Sequence, residues 1–132
     1  MTDVLKIAAR VAEEVGANAE VALAPEYTLK DVKDAVRVVV VPVGIERKMV
    51  SRSHRETAYR IQLGVLRKAT EDELEGLVSY VEGLALSFFR KSLAGATCTE
   101  VRHSPLYVPD HLKERRQFTG VVELVFKEVE RG

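Results

Sequence analysis

The sequence predicts an α+β fold, a single mostly antiparallel sheet with two helices packed on one face. Two segments have helical periodicity, near residues 2–15 and 70–93, and several others are β-branched or alternate between apolar and polar residues. Along the chain these segments run as helix, strands, long helix, strands. Because helices and strands do not alternate regularly, a doubly wound parallel sheet is disfavoured.

The first helix is predicted over residues 2–15, where apolar residues recur at helical spacing, and Gly16 is a natural stop. A short strand is expected within residues 17–24, ended by Pro25, and residues 28–31 are compatible with one helical turn. These elements occupy the chain before the first strong strand.

Two strands are predicted in the first half of the chain. Val36–Val43 is almost entirely β-branched, which fits a pleated sheet better than a helix. Tyr59–Val65 alternates strictly, as a half-buried strand does. Between them, residues 44–58 lack a tight-turn signal and are rich in Arg and Ser. We interpret them as a long basic loop that binds a partner.

The second helix is predicted from Thr70 to about Leu93, with a capping box at Thr70 and Glu73 and a stop at Gly95. Further strands are predicted at Ala96–His103 and Phe118–Val129, with one helical turn from Pro109 to Lys113 between them. The helical stripes and strand alternations predict a shared core of Ile7, Val11, Val38, Val40, Ile61, Leu63, Leu77, Val81, Phe88, Val122 and Leu124.

The composition is that of one globular domain spanning residues 1–132. The chain has 20 basic and 20 acidic residues and 46% hydrophobic residues, so it is neutral and not disorder-like. A dedicated nucleic-acid binder is usually basic, which disfavours that class. The sequence has no apolar run long enough for a transmembrane helix, so we expect no membrane association.

We expect no catalytic site, no metal and no cofactor. His54, His103 and His111 are not at ligand spacing on a helix, and no phosphate-binding glycine loop or nucleophile motif is present. Cys98 is the single cysteine and has no CxxC partner, so we interpret it as a small buried thiol. The chain is therefore predicted not to be an enzyme.

The charges are segregated along the chain. Residues 46–68 hold seven basic and two acidic side chains, whereas residues 71–82 hold five acidic and no basic ones. Acidic residues in a first helical turn also complement the helix dipole, and a basic loop can simply be solvated. Alternatively, complementary ends on a neutral domain favour head-to-tail pairing of copies, which closes into a ring if the rotation permits.

The order of segments resembles the tail terminator, or tail completion, proteins and related minor tail proteins of long-tailed bacteriophages. The resemblance covers most of the chain and rests on a succession of segments. In the first half these are the amphipathic first helix, the strand Val36–Val43 ending in VVPVG, the Ser51-Arg52 pair and the strand YRIQLGVLRK at Tyr59–Lys68. In the second half they are the capped helix Thr70–Leu93, SPLYVPDHLKERRQF at residues 104–118, and the final strand GVVELVFKE. No single motif decides it.

The resemblance implies a structural virion protein, without catalysis or cofactor, that forms a ring of usually six copies. The ring would lie at the head-proximal end of the tail, between the tail tube protein and the head-side connector or stopper protein. DNA would pass through the lumen without sequence-specific binding, and the protein would be made in the host cytoplasm.

The sequence is also compatible with three other classes of protein. Another head–tail joining protein, such as a stopper or adaptor, would also be structural, whereas a small cellular binding module or a small enzyme would belong to different classes. An enzyme requires a convergent polar cluster, which the sequence does not reveal.

The candidate site residues are those of an assembly interface. We predict that the basic loop and the start of the second helix contact neighbouring subunits or partners through Arg47, Met49, Val50, Arg52, Arg55, Glu71, Asp72 and Glu75. Arg52 and Arg55 are also our candidates for residues that face DNA in the lumen.

Overall fold

A computed structural model describes residues 3–22 and 35–131. Within these ranges the chain forms an α+β fold, a curled mixed sheet of six strands with three helices. The helices are α1 (Asp3–Val15), α2 (Leu74–Phe88) and α3 (Pro109–Arg115). The strands are β1 (Ala19–Val21), β2 (Arg37–Met49), β3 (His54–Lys68), β4 (Ser92–Leu93), β5 (Ala96–His103) and β6 (Gln117–Arg131).

The strands lie in the order β1-β2-β3-β6-β5-β4. Strand β1 pairs with β2 in parallel, and the other four pairings are antiparallel. The predicted α+β class is confirmed, but the description as a mostly antiparallel sheet with two helices matches only roughly. The sheet is mixed, and α3 is a third helix that contributes Leu112 to the same core as α1 and α2.

The first helix, predicted over residues 2–15, is present from Asp3 to Val15 within the described residues. Gly16 follows it with a φ of 116°, a backbone conformation that glycine adopts without steric cost, and its amide donates to the carbonyl of Ala12. The short strand expected within residues 17–24 is present as Ala19–Val21. The end expected at Pro25 and the helical turn expected at 28–31 lie outside the described residues.

The prediction that residues 44–58 form a loop is wrong. Strand β2 continues to Met49 and β3 begins at His54, so most of this segment is a β-hairpin with register pairs from Gly44 with Arg60 to Met49 with Arg55. The register shifts between Pro42 and Gly44, and this bulge accommodates the proline inside a paired strand. The polar residues on both faces of the hairpin concealed the strand periodicity.

The second helix is shorter than predicted. A 3-10 turn at Glu71–Glu73 precedes α2, which ends at Phe88, because Phe89 leaves the helical region with a ψ of 125°. Leu93 lies in β4 instead, where its side chain is buried, and Gly95 forms the turn between β4 and β5 rather than a helix stop. Strand β5, helix α3 and strand β6 confirm the remaining predictions within two residues at each end.

The main core lies between the three helices and one face of the sheet. All eleven predicted core residues are buried in it. A smaller cluster on the opposite face contains Val39, Val41 and Leu66, with Ala22 packed against it. Covered apolar side chains on both faces of β2 explain its nearly continuous run of valines.

Candidate functional site

The hairpin of residues 44–58, here called the arm, carries five of the predicted interface residues. Its tip is the turn between Met49 and His54, which is closed by hydrogen bonds from the amides of Val50 and Ser51 to the carbonyl of His54. Met49 is 77% exposed and Val50 is 50% exposed. Apolar side chains held on an ordered hairpin in solvent are typical of a contact surface.

The basic residues of the arm are divided between internal ion pairs and free side chains. Arg55 donates to Glu130 on β6, and Lys48 lies 3.8 Å from Glu56. Arg47 and Arg52 form no salt bridge with any residue that the structure describes. Arg52 therefore remains available to a partner or to DNA, whereas contact of Arg55 with either would compete with Glu130.

The predicted acidic residues Glu71, Asp72 and Glu75, here called the acidic end, are all exposed at the start of α2. Their neighbour Glu73 is used internally, because its carboxylate accepts the amide of Thr70 at 3.2 Å and pairs with Arg67 at 2.9 Å. The predicted capping box is present, with Glu73 reaching back to the amide of Thr70 and the Thr70 side chain facing the amide of Glu73.

The arm tip and the acidic end lie at opposite ends of β3. The strand runs 15 residues from His54 to Lys68, which corresponds to roughly 45 Å of extended chain, and Glu71 follows almost immediately. The basic side chains of the arm and the acidic end of the same chain therefore do not meet. Any direct pairing between them joins two copies.

Three carboxylates from the two ends of the chain converge beside the arm. Oxygens of Asp3 on α1 and of Glu128 and Glu130 on β6 lie within 4.8 Å of one another. The Tyr59 hydroxyl donates to Glu128 and lies 3.4 Å from Asp3, while Arg55 holds Glu130. Such oxygens are the ligand type of hard cations, but two of the three carboxylates already have protein donors.

The protonation of this cluster is shifted in opposite directions at two neighbouring residues. Burial raises the pKa of Glu128, with the nearby Glu130 and Asp3 adding to the effect. The hydrogen bond from Arg55 lowers the pKa of Glu130. Burial and the bond to Glu128 raise the pKa of Tyr59, which stays a neutral donor.

The histidines and the cysteine do not form a site together. His54 belongs to the arm turn, where the hydroxyls of Ser51 and Ser53 approach its Nδ1 at 3.2 and 2.9 Å. His111 on α3 bonds the Thr119 hydroxyl at 2.8 Å, and His103 ends β5. Cys98 is buried, as predicted, and burial raises the pKa of its thiol.

Comparison with protein-family models and with curated protein sequences finds no match to this chain. No helix in the described ranges combines the length and the apolar character needed to cross a membrane.

Sequence reasoning identified the arm and the acidic end as charged surfaces but missed the carboxylate cluster. Asp3 and Glu128 are far apart in the sequence, and only the packing of α1 against the sheet brings them together. The single signal in the sequence was the alternation of Glu128 and Glu130, which places both on one face of the last strand.

Proposed function

We propose that this chain is a structural subunit that assembles head to tail into a ring at the head-proximal end of a bacteriophage tail. In this role it would cap the tail tube as a tail terminator and offer a joining surface to the head-side connector or stopper protein, in the virion. The role is structural and uses no catalytic group or cofactor. The resemblance of the segment order to tail terminators supplies the biological setting.

The observation that carries the assembly is the position of two complementary surfaces at the two ends of one strand. An ordered arm presents Arg47, Arg52 and exposed apolar residues, and the acidic end lies roughly 45 Å away along β3. Two different surfaces on one chain give a heterologous contact, which propagates from copy to copy and closes when the rotation permits.

The charged and the apolar side chains of these surfaces would contribute differently to the contact between subunits. Exposed ion pairs contribute roughly 0–1 kcal/mol each and are screened by salt, so they would set orientation and register. Met49 and Val50 would supply the apolar area at the centre of the contact. We propose six copies in the ring, because tail terminators usually form rings of six.

The test is a charge exchange between the two surfaces. Arg47→Glu with Arg52→Glu should weaken assembly, and so should Glu71→Arg with Glu75→Arg. The two pairs of changes combined should restore it, because each surface again meets its complement. Native mass spectrometry and negative-stain microscopy at low and high salt would give the copy number and shape, alone and with tail tube protein.

Arg55 is left unchanged in this test, because its reversal would also break the ion pair with Glu130 on β6 of the same chain. Unaltered melting temperatures would show that the fold of each variant is intact. Failure of the combined variant to recover, or wild-type assembly by both parent variants, would contradict the contact. A connector-like ring that binds no tail tube protein would favour a stopper or adaptor.

A further inference from the structure

A hollow of about 350 Å³ opens at the end of the domain opposite the arm. Its walls come from the end of β3, the segment after it and the junction between α3 and β6. It is lined by Lys68, Ala69, Thr70, Glu73, Arg115 and Arg116.

The lining of this hollow carries an excess of positive charge. Lys68, Arg115 and Arg116 are exposed and form no salt bridge with any residue in the described ranges. The single acid of the lining, Glu73, is paired with Arg67 at 2.9 Å. Glu71, Asp72 and Glu114 are close in sequence, but their side chains are not part of the lining.

The backbone beneath the basic side chains is fixed. The amide of Ala69 donates to the carbonyl of Arg116 at 2.9 Å, and Lys68 is the register partner of Gln117. Arg116 holds a φ of 51°, in the left-handed region that favours glycine or asparagine. An arginine at this position therefore does not reflect a backbone preference.

The hydroxyl of Thr70 adds a neutral donor to the hollow. Its oxygen faces the backbone amide of Glu73 in the capping box, and its contact as a donor to Glu73 Oε1 is long, at 3.5 Å. The hydroxyl can therefore donate its proton to a ligand while its oxygen stays in the capping box.

We propose that this hollow is a binding site for a phosphate group. Two guanidinium groups, an ammonium and a hydroxyl provide many donors for the several oxygens of one phosphate, and arginine forks match phosphate geometry. The phosphate can belong to a nucleic-acid backbone or to a small phosphorylated compound. All residues of the hollow belong to one chain, so occupancy does not depend on assembly.

The test uses Arg116→Gly, which removes one cation while suiting the backbone at that position. We expect its melting temperature to equal or exceed that of the wild type. We expect its affinity for phosphate to fall about tenfold to a hundredfold, as the loss of a charge-assisted hydrogen bond predicts. The matched control is Arg90→Gly, which removes an exposed arginine from another left-handed backbone position, with a φ of 70°, outside the lining of the hollow. This variant should bind as the wild type does.

Two probes at low ionic strength distinguish the source of the phosphate: inorganic phosphate and a short DNA duplex. Saturable shifts of the Thr70 and Gln117 amide resonances in the wild type, lost in Arg116→Gly and kept in Arg90→Gly, would support the site with either probe. The probe that binds more tightly identifies the source. Absence of saturable shifts with both probes, or equal loss in both variants, would overturn the proposal.

Discussion

Arg55 donates to the same carboxylate oxygen of Glu130 from Nε at 3.2 Å and from Nη2 at 2.8 Å. The two residues are register partners across β3 and β6, next to the tip of the arm, where Arg55 also lies opposite Met49. This hydrogen bond favours the charged form of Glu130. Glu128, two residues earlier on β6, instead accepts a hydrogen bond from the buried Tyr59. The two glutamates therefore respond to pH in opposite directions.

The first prediction concerns this pair. The pKa of Glu128 is raised in the folded state, so its contribution to stability is fully present below the ordinary value of 4.5 and is lost as pH rises through the folded-state pKa. The pKa of Glu130 is lowered, so its contribution is present above 4.5 and is lost as pH falls through the folded-state pKa.

Glu128→Gln should therefore raise the melting temperature at neutral pH, and the gain should vanish in acid. Glu130→Gln should lower it at neutral pH, because Arg55 loses a charged acceptor. Thermal melts of both variants across pH 3–8, followed by circular dichroism, would measure the two effects. Melting temperatures that shift in the same direction at neutral pH would contradict the assignment.

The second prediction concerns the packing of α2 against the sheet. Leu77 is 4% exposed, whereas Leu86 on the same helix is 67% exposed. Leu77→Ala should lower the free energy of unfolding by about 2–5 kcal/mol, because it removes buried apolar atoms and leaves a cavity. Leu86→Ala should change it by less than about 0.5 kcal/mol. Urea denaturation of both variants would decide, and equal losses would mean that the helix face is assigned wrongly.

The third prediction compares two glycines. A Cβ at Gly120 on β6 would lie 3.1 Å from the carbonyl oxygen of Leu106 and 3.2 Å from the ring of Phe118, whereas a Cβ at Gly83 on α2 meets nothing within 4 Å. Gly120→Ala should destabilise the fold by about 1–3 kcal/mol through overpacking. Gly83→Ala should stabilise it by roughly 0.5–1 kcal/mol, because alanine is the better helix former.

Chemical denaturation would measure both glycine variants side by side. A stabilising Gly120→Ala would show that the backbone near Leu106 yields easily. A destabilising Gly83→Ala would indicate that this position of α2 packs against another molecule, such as a second copy of the chain.

The sequence was sufficient for the elements whose apolar residues face one core. Helix α1, strand β5 and strand β6 were predicted almost to the residue, because each buries one stripe or one face. Strand pairing within the arm was not predicted, because side chains such as Arg47 and Lys48 are exposed on alternate faces and leave no apolar periodicity.

The remaining errors and omissions arise from tertiary structure. The apolar pattern of α2 continues to Leu93, so periodicity alone could not locate the turn that ends the helix near Phe89. The carboxylate cluster and the basic hollow each join residues distant in sequence, such as Asp3 with Glu128 and Lys68 with Arg115. The spacing of residues within one segment does not predict such contacts between distant segments.

Strand β3 has a mechanical consequence for the proposed ring. It runs from the arm to Lys68, three residues before Glu71 of the acidic end, and it is paired along its full length with β6 and along most of it with β2. A pull between the two contact surfaces would load these interstrand hydrogen bonds in shear, many at once, rather than peel them apart one by one. Each subunit would then be mechanically stiff between its two contacts, and a force applied to one copy would be transmitted around the ring with little extension of any subunit.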